Sequence, residues 1–350
     1  LPIQQLIEKA QDYADNNFYR DWLMYLTTYY ARISNKHELN LFLANELYKT
    51  DYRANNFINR EQTLCINDSA LSFLIEKCKK ERVVMLNENH ASSNHRILAA
   101  ILIDSLAKYG FSYFGAEGIS VYDTAIDDRK FAIFKSGYYT RDPMFANMIR
   151  TAKQKGYTVF CYDARGKDRD KKQAQNIFDK AFAKDATIKL FVYAGFGHIH
   201  EAEGKTKNNM AREFLLLSGI NPLTIDQADF FDSINHLSII DTTNLKNHRM
   251  TTDMYVANNI SYDWYAEKSG YVSYEISISQ NIANQALKES LMFVVSIFRE
   301  EEYQKDKSAI PVYNYLLDNN STKIDVKLPK DTYLYLIKNR FGDVIEKGDL

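Results

Sequence analysis

The chain has little cysteine. Its 350 residues contain three, Cys65, Cys78 and Cys161, scattered and with no CxxC pair. That excludes a disulfide framework. A single Cys65–Cys78 bridge in an oxidising compartment and three buried thiols both fit the spacing. Long apolar runs are also missing. The longest, Leu291-Met-Phe-Val-Val-Ser-Ile-Phe298, falls well short of the roughly 18 to 20 residues that span a bilayer, so no transmembrane segment is expected. It reads as a buried helix. Charge of one sign is absent too: the formal net charge is −1 and no Lys/Arg block occurs. The electrostatic footprint of a nucleic-acid binder is therefore lacking. There is no internal repeat, no low-complexity linker and no HExxH helix. The chain starts at Leu1 without methionine, which reads as a trimmed or mature form. Periplasmic, secreted and cytoplasmic locations all stay open.

What is present is ordinary for a globular protein, with 45% hydrophobic and 25% charged residues. Aromatic residues reach 13%, including 25 Tyr and 20 Phe. They read first as core and half-buried surface, with an aromatic-lined ligand pocket as the alternative.

Periodicity divides the chain into three stretches. Residues 3–50 repeat apolar and aromatic side chains at helical spacing, and Asn67-Asp68-Ser69 caps a further helix over 70–80. Residues 1–80 thus form a helical N-terminal segment. From 81 the pattern alternates: strands are expected at 82–87, 111–116, 157–162, 188–193 and 222–225. Helices are expected at 95–109, 122–134, 143–155, 169–184 and 206–218. Such alternation predicts an α/β fold with a mainly parallel central sheet and helices on both faces. Beyond it lie strand-like runs at 236–240 and 272–278 and an amphipathic helix at 282–303. Residues 304–350 form a β-rich C-terminal segment, with turns at Asp318-Asn-Asn-Ser321 and Phe341-Gly-Asp343. One continuous domain over 81–303, with a helical prefix and a β-rich suffix, is preferred to two independent domains.

Four of the expected strands end in polar side chains. The first delivers Glu88 and His90, the second Glu117, the third Asp163 and Arg165, and the fourth His198, His200 and Glu201. Parallel strands place their C-terminal ends on one rim, where open α/β sheets bind ligands. Groups far apart in sequence that converge on one edge predict a cleft with chemistry in it.

These residues also carry a family resemblance. Glu88-Asn-His90, followed by Ala-Ser-Ser-Asn-His95-Arg96, a helix and Phe114-Gly-Ala-Glu117-Gly, resembles the first β-α-β block of the erythromycin esterase/ChaN-like/Tiki superfamily. Arg169-Asp170 with Gln173-Ala-Gln-Asn-Ile177 is similar to its next polar helix, and Ala194-Gly-Phe-Gly-His198 to its Gly-x-Gly-His segment. The resemblance spans roughly 80–230. Asn87 stands where that superfamily usually has glycine, and the Glu-x-His spacing is that of the ChaN-like and Tiki branches rather than of erythromycin esterases proper. Those relatives include metal-free esterases, metal-dependent proteases and haem- or iron-associated lipoproteins, so fold transfers better than activity.

Two hydrolytic schemes suit the residues. In one, His90 activates water, held by Glu88 or Glu117, while His198 stabilises an oxyanion or protonates the leaving group. In the other, Glu88, His90, Glu117 and His198 bind Zn²⁺ or Mn²⁺, which activates the water. His95, Arg96, Tyr139, Asp163, Arg165 and His200 are the candidate substrate contacts, Arg165 for an anionic group. The expected partner is a small-molecule or peptide substrate, with an ester, lactone or amide bond to cleave. The alternatives are a haem, iron or small-ligand binding protein, with Tyr138 and Tyr139 serving the haem, and a purely structural copy of the fold. His37, His236 and His248 have no matching partners and read as structural or exposed.

Overall fold

The structure, a computed structural model, describes residues 64–66, 68–183, 185–203, 208–230, 236–243, 251–288, 293–317, 321–339 and 341–350, together with Thr28 and Arg32. Most of the helical stretch expected over 3–50 therefore lies outside the described residues, as do His37, His248 and most of the Asp318–Ser321 turn.

An eight-stranded sheet organises the molecule. Its strands are β1 (Leu64–Ile66), β2 (Val83–Glu88), β3 (Phe111–Ala116), β4 (Thr158–Cys161), β5 (Lys189–Gly195), β6 (Leu223–Asp226), β7 (Leu237–Asp241) and β8 (Met254–Asn258). Their order is β1-β7-β8-β6-β2-β5-β3-β4. All pairings from β8 to β4 are parallel, and only β7 runs against its neighbours. Strand β5 enters between β2 and β3, with Glu88 opposite Gly195 and Ala116 opposite Tyr193.

Alternation along the strands builds a core on each face. Val84 and Leu86 of β2 pack with α1 (Asp68–Cys78), α2 (Ser93–Ala107) and, beyond a single turn α3 (Ile126–Arg129), with α4 (Pro143–Gln154). Val83 and Met85 point the other way, toward α5 (Arg169–Ile177) and α6 (Met210–Ser218). Full burial of each such aliphatic side chain contributes about 1.5–3 kcal/mol. Helix α4 starts where Asp142-Pro143 predicts, the Asp142 carboxylate accepting from the Met144 and Phe145 N–H groups at 2.7 and 3.1 Å.

Two expected elements are different in the structure. The helix expected over 122–134 is reduced to α3, because the Asp123 carboxylate is bound by Arg129 and Ser136 and the chain is tied into a loop. The apolar run ending at Phe298 is a strand. The chain forms α7 (Tyr262–Lys268), β9 (Val272–Ser277), α8 (Gln280–Lys288), β10 (Phe293–Arg299) and α9 (Glu300–Lys305). After them come β11 (Tyr313–Leu317), β12 (Lys323–Leu328), β13 (Tyr333–Lys338) and β14 (Val344–Asp349). A short run buried on both sides has the same apolar pattern as a buried helix, and β-branched Val294, Val295 and Ile297 suit the strand.

Strand β10 lies in the antiparallel sheet β11-β10-β13-β14, which shares a second core with the pair β12-β9. The β-rich region thus begins at Val272, upstream of 304. One of its links to the α/β core is polar: Arg150 of α4 grips Glu302 of α9 through Nε and Nη2 at 2.6–3.0 Å, while Ile310 packs into the core beside them. Cys78 and Cys161 are buried free thiols, so the Cys65–Cys78 bridge is not formed. Among the described residues no helix is long and apolar enough to cross a membrane.

Candidate functional site

Glu88 ends β2 almost wholly buried, and its carboxylate is saturated. Arg96, from the second turn of α2, donates Nε to Oε2 at 2.7 Å and Nη2 to Oε1 at 3.0 Å. Tyr193 of β5 donates its hydroxyl to Oε2 at 2.9 Å, and His90 Nδ1 lies 2.7 Å from Oε1. Burial alone would raise this carboxyl, but Arg96 and His90 outweigh it and hold it at about 2. The Arg96 guanidinium is itself buried and completes its set with Asp142 Oδ2 at 3.0 Å and the His90 carbonyl at 2.9 Å. A buried cation between two carboxylates stands only if its donors are met, as they are here. Asp142 thus both caps α4 and neutralises Arg96.

An ionised Glu88 can only accept, so the neutral His90 ring carries its proton on Nδ1 and keeps a lone pair on Nε2. The imidazole is clamped. Tyr139 stacks on one face with centroids 3.9 Å apart, and Phe196 meets it edge-on at 5.0 Å. Nε2 lies over Gly195: a Cβ there would be 2.7 Å from it. Glycine is required for the close approach, since its φ of −89° suits any residue. Phe196 has a φ of +40°, an uncommon value for a side-chain-bearing residue, and its carbonyl is held by the Asn87 amide at 2.9 Å. Asn87 also accepts from the Gln227 N–H at 2.7 Å. Asn87 is therefore a clamp across three strand ends.

A second carboxylate–imidazole pair faces this one across Glu117. His198, in the short turn Phe196–Ile199, sets Nδ1 2.5 Å from Asp170 Oδ1 and Nε2 3.6 Å from Glu117 Oε1. Burial works to lower the His198 pKa, but the Asp170 hydrogen bond and the Glu117 and Asp170 charges prevail and raise it. Glu117 Oε2 accepts from the Gly195 N–H at 2.6 Å, and Oε1 from Arg169 Nη2 at 2.5 Å. Arg169 also reaches His198 Nε2 at 3.1 Å and Asp163 at 2.8 Å, and Gln173 steadies Asp163 at 2.7 Å.

Of these groups, Glu117, Tyr139, Asp163 and Arg169 line a cleft of about 410 Å³, with Tyr122, Tyr138 and Arg165 among its other walls; His90 adjoins it through Tyr139, and His198 through Glu117 and Arg169. Gly137 shapes its wall with a φ of +155°, its α-carbon pressed against the Gly118 carbonyl so that a Cβ has no room. Arg32 lies over the outer face of Tyr138 and donates to its carbonyl at 2.8 Å.

The remaining candidate residues are spread around the centre. Arg165 lines the cleft and is exposed, whereas the ion pairs are made by Arg169. His95 is buried, its Nδ1 accepting from the Asn89 N–H at 3.0 Å, and fixes the loop that carries His90. His200 turns toward Asp226 at 3.3 Å. Glu201 and Asp253 form a half-buried acid pair around Thr224. Burial, reinforced by Asp253, pushes Glu201 up to about 7. His236 stacks on Trp264.

The metal expected at the central residues does not fit them. A metal shared by Glu88, His90, Glu117 and His198 requires converging free donor atoms, yet the Glu88 oxygens are already committed to Arg96, Tyr193 and His90. Among the described residues, the donor group that converges within 4.8 Å is His200, Asp226 and Asp229 instead. Sequence reasoning missed Asp142, Arg169, Asp170 and Tyr193 as parts of the site. Arg169-Asp170, directly after the strand-end Asp163 loop, carried the readable signal.

No family model matches the chain, and no curated protein matches it. Solved structures similar to it include the type III effector HopBA1, at 13% identity and a TM-score of 0.39, covering 57% of this chain and 97% of that one. ChaN of Campylobacter jejuni, described with cofacial haem, aligns at 9% identity and a TM-score of 0.34, again over 57% and 97%. RRSP, a MARTX toxin effector domain from Vibrio vulnificus, aligns at 12% and 0.36, over 56% of this chain and 41% of that one. Likeness at this level carries no inference about chemistry.

Proposed function

We propose that the cleft hydrolyses an ester, lactone or amide bond with water activated by His90. The observation that carries this reading is the Glu88–His90 pair: an ionised carboxylate 2.7 Å from Nδ1, which leaves Nε2 as a base. The logic is that of hydrolytic triads, in which the carboxylate fixes the tautomer and stabilises the imidazolium. Water gives its proton to Nε2 as its oxygen attacks the carbonyl carbon. Arg169 supplies positive charge for the developing oxyanion. The C–O or C–N bond then breaks, and the His90 imidazolium hands the proton it took from water to the departing oxygen or nitrogen, while His198, held by Asp170, positions Arg169 through Nε2. The tyrosine-lined cleft suits a small molecule or one side chain of a peptide.

A panel of activated esters, lactones and fluorogenic peptides tests this directly. On whichever probe turns over, His90→Ala and His198→Ala should each lower kcat/KM by about 10²–10⁴-fold, with melting temperatures close to that of the parent. Full activity in both variants, or unfolding of both, overturns the assignment.

A further inference from the structure

Beside the cleft, at the ends of β5 and β6, His200, Asp226 and Asp229 direct one donor atom each into a common space. All three atoms lie within 4.8 Å of one another. We propose that these residues form a second site, for one divalent transition-metal ion of the Zn²⁺ or Mn²⁺ kind. Nothing in the proposed hydrolysis uses it, and it does not depend on that reading.

The geometry is that of a coordination shell. A Zn²⁺-type ion binds nitrogen and oxygen at about 2.0–2.2 Å, which sets its ligands roughly 3–3.5 Å apart. His200 Nε2 and Asp226 Oδ2 are 3.3 Å apart, and Asp229 Oδ2 is 4.0 Å from the same nitrogen. Asp226 is fully buried. Its other oxygen, Oδ1, accepts the backbone N–H groups of Ala228 and Asp229 at 2.8 and 2.9 Å, which aims Oδ2 at the imidazole. Fixing one carboxylate oxygen so that the other faces the ion is how outer hydrogen bonds serve metal sites. His200 and Asp229 are about a quarter exposed, leaving coordination positions open to water. One imidazole with two carboxylates selects a borderline transition-metal ion over the all-oxygen sites of Ca²⁺ or Mg²⁺.

The site also has leverage. Gln227, between two of the ligands, donates its N–H to Asn87, the neighbour of Glu88. His200 closes the turn that carries His198, its N–H donating to the Gly197 carbonyl at 3.1 Å. A bound ion would therefore clamp the β6 loop to the turn that presents the second imidazole.

The test uses the full chain, stripped with chelator, dialysed and titrated with ZnCl₂ and separately with MnCl₂. Stoichiometry is read by elemental analysis and stabilisation by the melting temperature. The proposal expects about one equivalent per chain and a raised melting temperature, with both effects lost in Asp229→Asn and His200→Gln. His90→Ala should retain both. Asp229 is partly exposed, so its variant decides the matter should His200→Gln fail to fold. No binding of either metal by the parent chain, binding unchanged in Asp229→Asn, or binding lost in His90→Ala each overturns the site.

Discussion

At Gly195 the absence of a single carbon decides whether His90 reaches its place. The ring cannot yield easily, because Glu88, Tyr139 and Phe196 hold it on three sides. Gly195→Ala should lower turnover by about 10²-fold, the loss that a displacement of about 1 Å produces. Overpacking should destabilise the fold by about 1–3 kcal/mol, and steady-state kinetics beside urea melts separate the two effects. Glu88 gives a pH signature. Its carboxyl sits at about 2 in the folded chain against an ordinary 4.5. The stability it contributes is present in full above 4.5 and drains away as the pH falls toward 2. Melting temperatures across that window should fall steeply in the parent and less steeply in Glu88→Gln. Glu88, His90, Glu117 and His198 are legible in the sequence because strand-end polar residues follow apolar runs. Asp142 is not, since a helix-capping aspartate looks the same whether or not it also neutralises a buried cation.

Among the elements, the parallel strands and helices of residues 81–230 are readable because each has one face or two to bury. Strand β10 is not. An apolar run of that length fits either secondary structure, and only its partners β11 and β13, more than a dozen residues on, make it a strand. Ile297 is fully buried at its centre. Ile297→Ala should cost about 2–5 kcal/mol, measured as a lower denaturant midpoint. The residue 122–134 stretch misleads for a different reason. Its helical spacing is real, but side-chain hydrogen bonds from Asp123 and Ser136 compete with the backbone and win.

Across the whole molecule, the α/β core and the β-rich region are tied by Arg150 and Glu302, both buried. Glu302→Gln should leave the guanidinium short of its counter-charge and cost about 3–5 kcal/mol, whereas the apolar double variant Arg150→Met/Glu302→Leu should lie nearer the parent. Chemical denaturation of the three proteins checks the order. The sheet order also bears on how the molecule is made. Strands β2 and β3 leave the ribosome before β5 yet never touch as neighbours, because β5 must slide between them. Tyr193, which completes the Glu88 shell, follows it by 105 residues. A nascent chain that stops before Lys189 carries His90 on a half-built ledge, without Tyr193 or the Gly195 floor beneath the imidazole. The proposed site is therefore completed abruptly, with the insertion of one strand, and a fragment ending before that strand lacks it however well its helices form.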